Sequence, residues 1–236
     1  MRIAGLQKMT LLDFPGKVAC TLFLQGCNYR CPFCHNSELL GGCGEEVMSE
    51  AEFFAFLEKR KGLLDGVAVS GGEPTLYKGL ETMLAKIKEM GYTVKLDTNG
   101  SRPAVLKALA EEKLIDYVAM DIKNGPKAYG STAGVPNMDL SGVEESIRYL
   151  LEDHVDYEFR TTVADELHDA QDMEEMGAWL CSLIPGRKPR RHYIQPYADR
   201  DSVLTQGLHT PEKEKLLDMA GKLAPYADLV EIRGMD

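Results

Sequence analysis

Residues 67–74, with the sequence VAVSGGEP, join a short apolar run to a polar turn and point to an α/β fold. The run 67–70 is short, β-branched and apolar, which is typical of a buried strand. Gly71-Gly72-Glu73 follows at once, in a place where core packing needs no polar residues. The arrangement recurs downstream, where the strand-like residues 93–97 lead into Asp97-Thr98-Asn99. Polar runs that follow strands are typical of parallel sheets with a functional edge.

Strand-like and helix-like segments alternate along most of the chain. Strand-like runs occupy residues 18–24, 67–70, 93–97, 117–122, 157–163, 192–195 and 229–232. Segments with helical periodicity lie between them and begin near Ser49, Leu80, Pro103, Ser141, Met173 and Thr210. This alternation predicts a parallel sheet with right-handed crossovers. Six or so such units form either a partly closed barrel or an open doubly wound sheet.

The position of the polar runs favours the barrel over the doubly wound sheet. Active sites of parallel barrels lie at the carboxyl ends of the strands, where these runs stand. A dinucleotide-binding sheet would carry G-x-G-x-x-G after its first strand, and no such motif is present. We therefore predict a partial, TIM-like (β/α)6 barrel that forms a single domain over residues 1–236, with a long loop after the first strand.

Composition limits the classes of partner. The net charge of −10 and the pI near 5.1 disfavour a broad nucleic-acid surface, which needs clustered Lys and Arg. The basic segment 187–191 is short and interrupted by Pro189, so we interpret it as a solvated connector. We find no signal-peptide pattern and no apolar run near the ~20 residues that a membrane helix needs. The sequence thus predicts a cytoplasmic protein with reduced thiols.

The segment 25–48 is too long for a simple connection and carries three closely spaced cysteines. Cys27, Cys31 and Cys34 have the spacing C-x3-C-x2-C, which lets one loop bring three thiolates to one metal site. Thiolates are soft ligands that select zinc or iron–sulfur clusters. Two interpretations are open at this point: a structural zinc site completed by His35, or a 4Fe–4S cluster with one iron left open for another ligand.

The other cysteines have simpler interpretations. Cys20 and Cys181 fall in strand-like and helix-like patterns, so we expect them to be small hydrophobic residues of the core. Cys43, between two glycines, is either a spare thiol or a redox partner of the cysteine loop, and we favour the spare thiol.

Together these motifs resemble the radical S-adenosylmethionine enzymes. The family signature is C-x3-C-x2-C with an aromatic residue before the last cysteine, matched here by Cys27, Cys31, Phe33 and Cys34. Gly71-Gly72-Glu73-Pro74 is similar to the family's G-G-E-P segment. Residues 34–36 (CHN), 96–100 (LDTNG) and 120–123 (MDIK) resemble the branch that activates glycyl-radical enzymes. Residues 11–17, LLDFPGK, are most similar to the activating proteins of anaerobic ribonucleotide reductases.

The resemblance implies a cofactor set and a role for each matching residue. A 4Fe–4S cluster on Cys27, Cys31 and Cys34 would cleave S-adenosylmethionine reductively to a 5′-deoxyadenosyl radical. The expected cofactor-binding residues are Phe33 and His35 near the adenine, Gly71, Gly72 and Glu73 near the methionine amino group, Asp121 and Lys123 near the methionine and ribose, and Asp97, which with Asp121 would hold a monovalent cation. Residues 195–199 lack the histidine that formate-lyase activases carry there, so the residues that close this side of the site are not predicted.

The resemblance implies that the partner is a glycyl-radical enzyme, and residues 11–17 favour an anaerobic ribonucleotide reductase. The radical would take hydrogen from a backbone glycine of that partner, and a flavodoxin- or ferredoxin-like protein would supply electrons. Two alternatives stay open: a radical enzyme that acts on a small molecule or RNA, and a zinc-stabilised binding module without catalytic activity. Apart from the RNA of the first alternative, neither a membrane nor a nucleic-acid partner is expected.

Overall fold

The structure of the chain is a computed structural model, which describes residues 2–41, 47–199 and 202–234. Cys43 lies outside the described residues, so its predicted role is not tested. The strands are β1 (Ile3–Thr10), β2 (Ala19–Leu24), β3 (Gly66–Gly71), β4 (Thr93–Thr98), β5 (Tyr117–Asp121), β6 (Asp156–Val163), β7 (Arg191–Pro196) and β8 (Leu229–Ile232). The helices are α1 (Glu50–Glu58), α2 (Leu80–Glu89), α3 (Pro103–Glu111), α4 (Tyr129–Thr132), α5 (Ser141–Leu151), α6 (Ala170–Leu183) and α7 (Lys213–Leu223).

The strands form one sheet in the order in which they occur in the chain, from β1 to β8. Strand β2 is parallel to β3, β3 to β4, β6 to β7 and β7 to β8. A doubly wound sheet would reverse its strand order at a switch point, and this sheet does not. The predicted α/β class and parallel topology are therefore confirmed, and the dinucleotide-binding alternative is not.

Strand β1 is absent from the sequence prediction, which began with the strand near residue 18. It runs antiparallel to β2, with irregular register between Ile3 and Gly5 and between Gln7 and Thr10. Gln7, Lys8 and Met9 are exposed, so β1 lacks the continuous apolar run by which a buried strand is recognised. Its existence depends on hydrogen bonds to β2 rather than on its own pattern.

The predicted helices are present, and α1 shows the predicted cap while α2 shows the predicted buried face. Ser49 and Glu52 form the expected capping box at the start of α1, with reciprocal side-chain and backbone hydrogen bonds. In α2, Leu80, Met83, Leu84 and Ile87 are all buried. Helix α7 begins a little later than the Thr210-Pro211 signal, at Lys213. The sequence analysis did not identify the short helix α4.

The chain divides into two compact units. The first unit comprises Met1–Asn28, Glu38–Thr98 and Ala104–Ala119. Its core includes Phe14, which packs against Ala19 and Tyr117. The prediction that residues 1–236 form a single domain is not tested by this division and stays a prediction.

The second unit comprises Tyr29–Ser37, Asn99–Pro103 and Met120–Asp236. Its interior contains the fully buried side chains of Tyr129, Tyr157 and Phe159. None of the helices described is both long enough and apolar enough to span a membrane.

Candidate active site

In the first unit, Gly71 and Gly72 hold the end of β3 against the start of the cysteine loop. The Gly72 N–H donates to the Leu24 carbonyl at 2.9 Å, and the Glu73 N–H donates to the Gly26 carbonyl at 2.7 Å. A Cβ atom on Gly72 would overlap the Gly26 carbonyl oxygen, while Gly71 has a φ of +122°. Residue 72 therefore requires glycine because a side chain would collide with the backbone of Gly26. Residue 71 requires glycine because of its positive φ.

Glu73 is a buried carboxylate that links two of the sequence motifs. Its Oε1 accepts hydrogen bonds from the Thr75 N–H at 3.1 Å and from the Thr75 hydroxyl. The same oxygen accepts from the Thr98 hydroxyl at 2.7 Å. Thr98 belongs to the D-T-N-G segment, so this segment and G-G-E-P meet through one carboxylate. These contacts orient the Glu73 carboxylate before any ligand binds.

Asp97 lies at the end of β4 and pairs with a lysine of the same strand. The Lys95 ammonium group donates to Asp97 Oδ1, and the Lys95 side chain is almost completely buried. Residues two apart on a strand point to the same face, which places this pair on one side of β4.

The rest of the D-T-N-G segment lies in the second unit. Asn99 is buried, and its Oδ1 accepts a hydrogen bond from the Ser101 N–H at 3.0 Å. Gly100 has a φ of +73°, and a Cβ atom there would overlap Met120. This half of the motif thus forms an Asx turn.

The later part of the cysteine loop packs against helix α4 and the residues after it. The Arg30 N–H donates to the Ala133 carbonyl at 2.9 Å, and Cys31 Sγ lies 3.7 Å from the same oxygen. Gly134 has a φ of +67°, and any Cβ there would overlap the Arg30 carbonyl. Helix α4 therefore supports the loop through backbone contacts that only glycine at residue 134 allows.

The Cys34 thiol is influenced by the charges of Lys123, Asp121 and Arg30. Burial raises the pKa of the Cys34 thiol, while the Asn36 N–H and the charge of Lys123 oppose that rise. Cys31 is buried, and the Cys34 N–H donates to the Cys31 carbonyl at 3.0 Å. A metal that binds these sulfurs must displace the thiol protons, and the nearby ammonium group favours that loss.

Asp121 is held between two cations at the end of β5. Lys123 Nζ lies 3.1 Å from Asp121 Oδ2, and Arg160 Nε donates to Asp121 Oδ1 at 3.0 Å. Burial alone would raise the pKa of Asp121, but Arg160 and Lys123 lower it to about 2. Asp121 is therefore ionised at neutral pH. Lys123 Nζ also lies 5.9 Å from the centre of the Phe33 ring, so it connects Asp121 with the cysteine loop.

His35 packs against a residue that the sequence analysis did not assign. The His35 and Tyr197 rings lie 5.5 Å apart between centroids, with an interplanar angle of 32°. The His35 carbonyl accepts from the Ser202 hydroxyl at 2.7 Å, and the Pro32 carbonyl accepts from the Thr205 N–H at 3.0 Å. The segment after β7 thus covers this part of the cysteine loop, in the region left open by the sequence.

The unpredicted residues that contact the predicted site residues include, besides Thr75, Lys95 and Tyr197, three more. They are Thr98 on Glu73, Arg160 on Asp121, and His168, whose ring lies near Phe33 and whose Nε2 contacts the Lys123 carbonyl. Arg160 stands late in a strand, like the residues that were predicted, and this position was its only signal. His168 follows β6 with no motif around it, so nothing in the sequence distinguishes it from other histidines.

The cysteines fit the donor chemistry of an iron–sulfur cluster. The cysteines described, Cys27, Cys31 and Cys34 among them, form no disulfide, so their sulfurs are present as thiols. Within the described ranges no three His, Cys, Asp or Glu side chains are grouped to hold one metal ion. Thiolates are the preferred ligands of iron–sulfur clusters. In addition, Gly71 and Gly72 contact the start of the cysteine loop through their backbone and place no side chain beside it.

The two core cysteines differ in burial. Cys20 is completely buried in β2, and burial raises its pKa to about 12, as expected for a core thiol. Cys181 in α6 is only partly buried, and its Sγ lies 3.4 Å from the Tyr226 carbonyl. The core interpretation is therefore confirmed for Cys20 and holds in part for Cys181.

Comparison with known proteins agrees with these features. The sequence model of the Radical SAM superfamily matches residues 21–180. A Methanocaldococcus jannaschii protein, named as a proposed glycyl-radical enzyme activating enzyme, is 31% identical over 98% of this chain and 95% of its own length. A protein of Thermococcus kodakarensis, named as a probable GTP 3′,8-cyclase, is 30% identical over 70% of this chain and 55% of its own.

A solved structure shares the fold. A domain of the pyruvate-formate lyase-activating enzyme from Bacteroides vulgatus superposes with a TM-score of 0.57 at 23% identity, covering 72% of this chain and 99% of that domain. At that identity the likeness concerns the fold alone, and it agrees with the predicted α/β barrel class. Together with the family match over most of the chain, these findings establish that the chain belongs to the radical SAM superfamily, among the relatives named for glycyl-radical enzyme activation.

Proposed function

We propose that this chain activates a glycyl-radical enzyme by generating a radical on one of its backbone glycines. The observation that carries the proposal is the match to the Methanocaldococcus jannaschii protein, which extends over 98% of this chain and 95% of that protein. The match includes residues outside the core shared by the superfamily. The arrangement of Asp121, Lys123 and Phe33 beside Cys34 supports it from the structure.

Each residue at the site has a proposed task. Cys27, Cys31 and Cys34 would hold a 4Fe–4S cluster, and Phe33, His35, Gly71, Gly72, Glu73, Asp97, Asp121 and Lys123 would bind S-adenosylmethionine. When bound, this cofactor pair supplies reductive cleavage to a 5′-deoxyadenosyl radical. Glu73 would accept hydrogen bonds from the methionine amino group, since Thr75 and Thr98 already orient its carboxylate. Lys123 would attract the methionine carboxylate.

The more specific parts of the proposal depend on the sequence resemblance. We propose an anaerobic ribonucleotide reductase as the partner, because residues 11–17 resemble its activating proteins. A flavodoxin- or ferredoxin-like protein would supply the electron, and the reaction would take place in the cytoplasm. A monovalent cation at Asp97 and Asp121 stays a prediction, and it would compete with Lys95, Lys123 and Arg160, which already contact these carboxylates.

The test of the function is a radical transfer measured on the partner. The reduced, iron-loaded protein is incubated without oxygen with S-adenosylmethionine and a purified anaerobic ribonucleotide reductase. We expect a doublet-type glycyl signal by electron paramagnetic resonance and one 5′-deoxyadenosine per radical. The control is the same reductase with its C-terminal radical glycine replaced by alanine, which should give no signal. A signal on a different glycyl-radical enzyme alone would retain the activase function and reject the partner.

A second candidate is a radical enzyme that acts on a small molecule or RNA. It is favoured by the match to the relative named as a cyclase of GTP, which covers 70% of this chain. If a nucleotide or RNA stimulates 5′-deoxyadenosine formation and no glycyl-radical enzyme gains a signal, this candidate replaces the activase.

The cluster itself is tested through its ligands. We expect Cys31→Ala to abolish iron loading and the broad brown absorption near ~400 nm, because Cys31 supplies one of the three thiolates of the C-x3-C-x2-C motif. Cys20→Ala is the matched control: it removes a buried thiol from β2 and should leave the iron content unchanged. Full iron loading in Cys31→Ala would reject the ligand assignment, and a colourless protein that binds zinc would favour the binding-module alternative.

A further inference from the structure

The side chain of His168 joins the turn after β6 to two predicted cofactor-binding residues. His168 is buried, with 2% of its surface exposed. Its Nδ1 accepts a hydrogen bond from the Ala164 N–H at 3.2 Å, and its Nε2 lies 2.9 Å from the Lys123 carbonyl oxygen. Because a carbonyl only accepts, Nε2 carries the proton. The ring is therefore neutral and held in one tautomer.

The same ring contacts the aromatic residue of the cysteine loop. The His168 and Phe33 rings lie 6.1 Å apart between centroids, with an interplanar angle of 59°, which is a favourable tilted arrangement. Phe33 is buried and directly precedes Cys34. Lys123 Nζ approaches the Phe33 ring to 5.9 Å. One imidazole thus contacts both the backbone of Lys123 and the ring of Phe33.

The neighbouring contacts tie the same turn to helix α4. Asn124, next to Lys123 and fully buried, donates to the Leu167 carbonyl at 3.2 Å and to the Thr132 hydroxyl at 3.1 Å. Leu167 directly precedes His168. Helix α4 is followed directly by Ala133, whose carbonyl accepts from the Arg30 N–H. A displacement of the turn that carries His168 would therefore reach the cysteine loop at Arg30, through α4, as well as at Phe33.

We propose that His168 is a positioning residue that fixes Phe33 and Lys123 in the geometry that binds S-adenosylmethionine. The inference depends on the proposal above that Phe33 and Lys123 contact this cofactor. His168 itself would not touch the cofactor. It acts through one hydrogen bond and one ring contact, as residues behind a metal or cofactor site commonly do.

The experiment separates the two hydrogen bonds of the ring with two variants. In His168→Asn the amide lies where Nδ1 was, so it keeps the bond to Ala164 and loses the bond to Lys123. In His168→Gln the amide reaches the place of Nε2, so it keeps a donor for Lys123 and loses the local bond. Affinity for S-adenosylmethionine is measured by calorimetry on iron-loaded protein, along with iron content and the thermal midpoint of unfolding.

We expect His168→Asn to weaken binding by about 10-fold or more, with iron content retained, and His168→Gln to bind within about 3-fold of wild type. The control is His192→Gln, which alters another fully buried histidine of the same unit. His192 Nε2 lies 2.8 Å from the Thr161 hydroxyl, and its ring packs edge-on against Phe159; neither partner is a predicted site residue. It should lower the thermal midpoint and leave the affinity unchanged.

Two results would overturn the inference. One is wild-type affinity in His168→Asn, and the other is an equal loss in Asn and Gln variants that follows their thermal midpoints. Absence of cofactor binding by iron-loaded wild-type protein would reject it together with the cofactor assignment. A failure to activate any glycyl-radical enzyme, with the expected affinities observed, would reject only the proposed function.

Discussion

Gly72 and Gly26 meet backbone to backbone, where β3 ends and the cysteine loop begins. The resemblance places Gly72 near the methionine amino group of the cofactor, where close backbone contact with a ligand favours glycine. The structure gives a different reason, since a Cβ atom would overlap the Gly26 carbonyl and approach the Cys27 nitrogen to 3.1 Å. Substitution would therefore disturb the loop itself as well as any ligand beside it.

This contact leads to a prediction at the residue scale. We expect Gly72→Ala to lower both the free energy of unfolding and the iron content, because the backbone around Cys27 must move. The matched control is Gly221→Ala in α7, where a Cβ atom meets nothing within 4 Å. An exposed helical position should gain about 0.5–1 kcal/mol from alanine. Unchanged iron content in Gly72→Ala would show that the loop tolerates the displacement. Iron per protein and urea unfolding are the measurements.

At the scale of elements, β6 is joined to the residue after β8 by a buried ion pair. Glu158 is completely buried, and its two oxygens accept from the two terminal nitrogens of Arg233 at 2.8 and 2.7 Å. The guanidinium also stacks on the Tyr193 ring at 3.4 Å from its centre. A carboxylate without access to water depends on such a partner, so the contact specifies how the last strand ends.

Removal of Arg233 should be much more costly than removal of a surface arginine. We expect Arg233→Met to lower the free energy of unfolding by about 3–5 kcal/mol, because it removes both guanidinium hydrogen bonds from a carboxylate that stays buried. Arg190→Met is the control, since the side chains of Arg190 and its partner Asp153 are 51% and 32% exposed, against 0% for Glu158, and their pair should contribute under about 1 kcal/mol. The double variant Glu158→Met, Arg233→Met should recover much of the loss. Equal effects of the two single variants in urea unfolding would contradict this interpretation.

At the scale of the whole molecule, buried neutral histidine makes stability depend on pH. Burial lowers the pKa of His192 to about 3 and also lowers that of His168. Unfolded histidine titrates near 6.5. Between these two values the unfolded chain binds a proton that the folded chain does not, so stability falls as the pH falls from about 6.5 toward 3.

His192→Gln should remove one of the protons that the unfolded chain binds and the folded chain does not. In wild type His192 adds a slope of up to about 1.4 kcal/mol per pH unit between roughly pH 6 and 4. We expect the variant to be less stable at neutral pH, yet to lose less of its stability on acidification. Urea unfolding at several pH values measures the slope. Identical slopes in the two proteins would show that His192 binds its proton in the folded state.

The sequence by itself determined the features that depend on local pattern and on chemistry. The alternation of strands and helices, the capping box of α1 and the cysteine loop could be predicted because each is written within a few neighbouring residues. The same holds for the glycines of G-G-E-P and for Asp121 and Lys123, of which the first ends β5 and the second follows two residues later. Strand β1 could not be predicted, since its polar residues have no pattern and its pairing with β2 supplies the hydrogen bonds.

Only the tertiary structure decided which distant residues support the predicted ones. Thr98 on Glu73, Arg160 on Asp121 and His168 on Lys123 join residues that are 25, 39 and 45 positions apart. No local periodicity or spacing encodes such contacts. They arise because parallel strands bring their carboxyl ends to one edge of the sheet, and the side chains that meet there come from different parts of the chain.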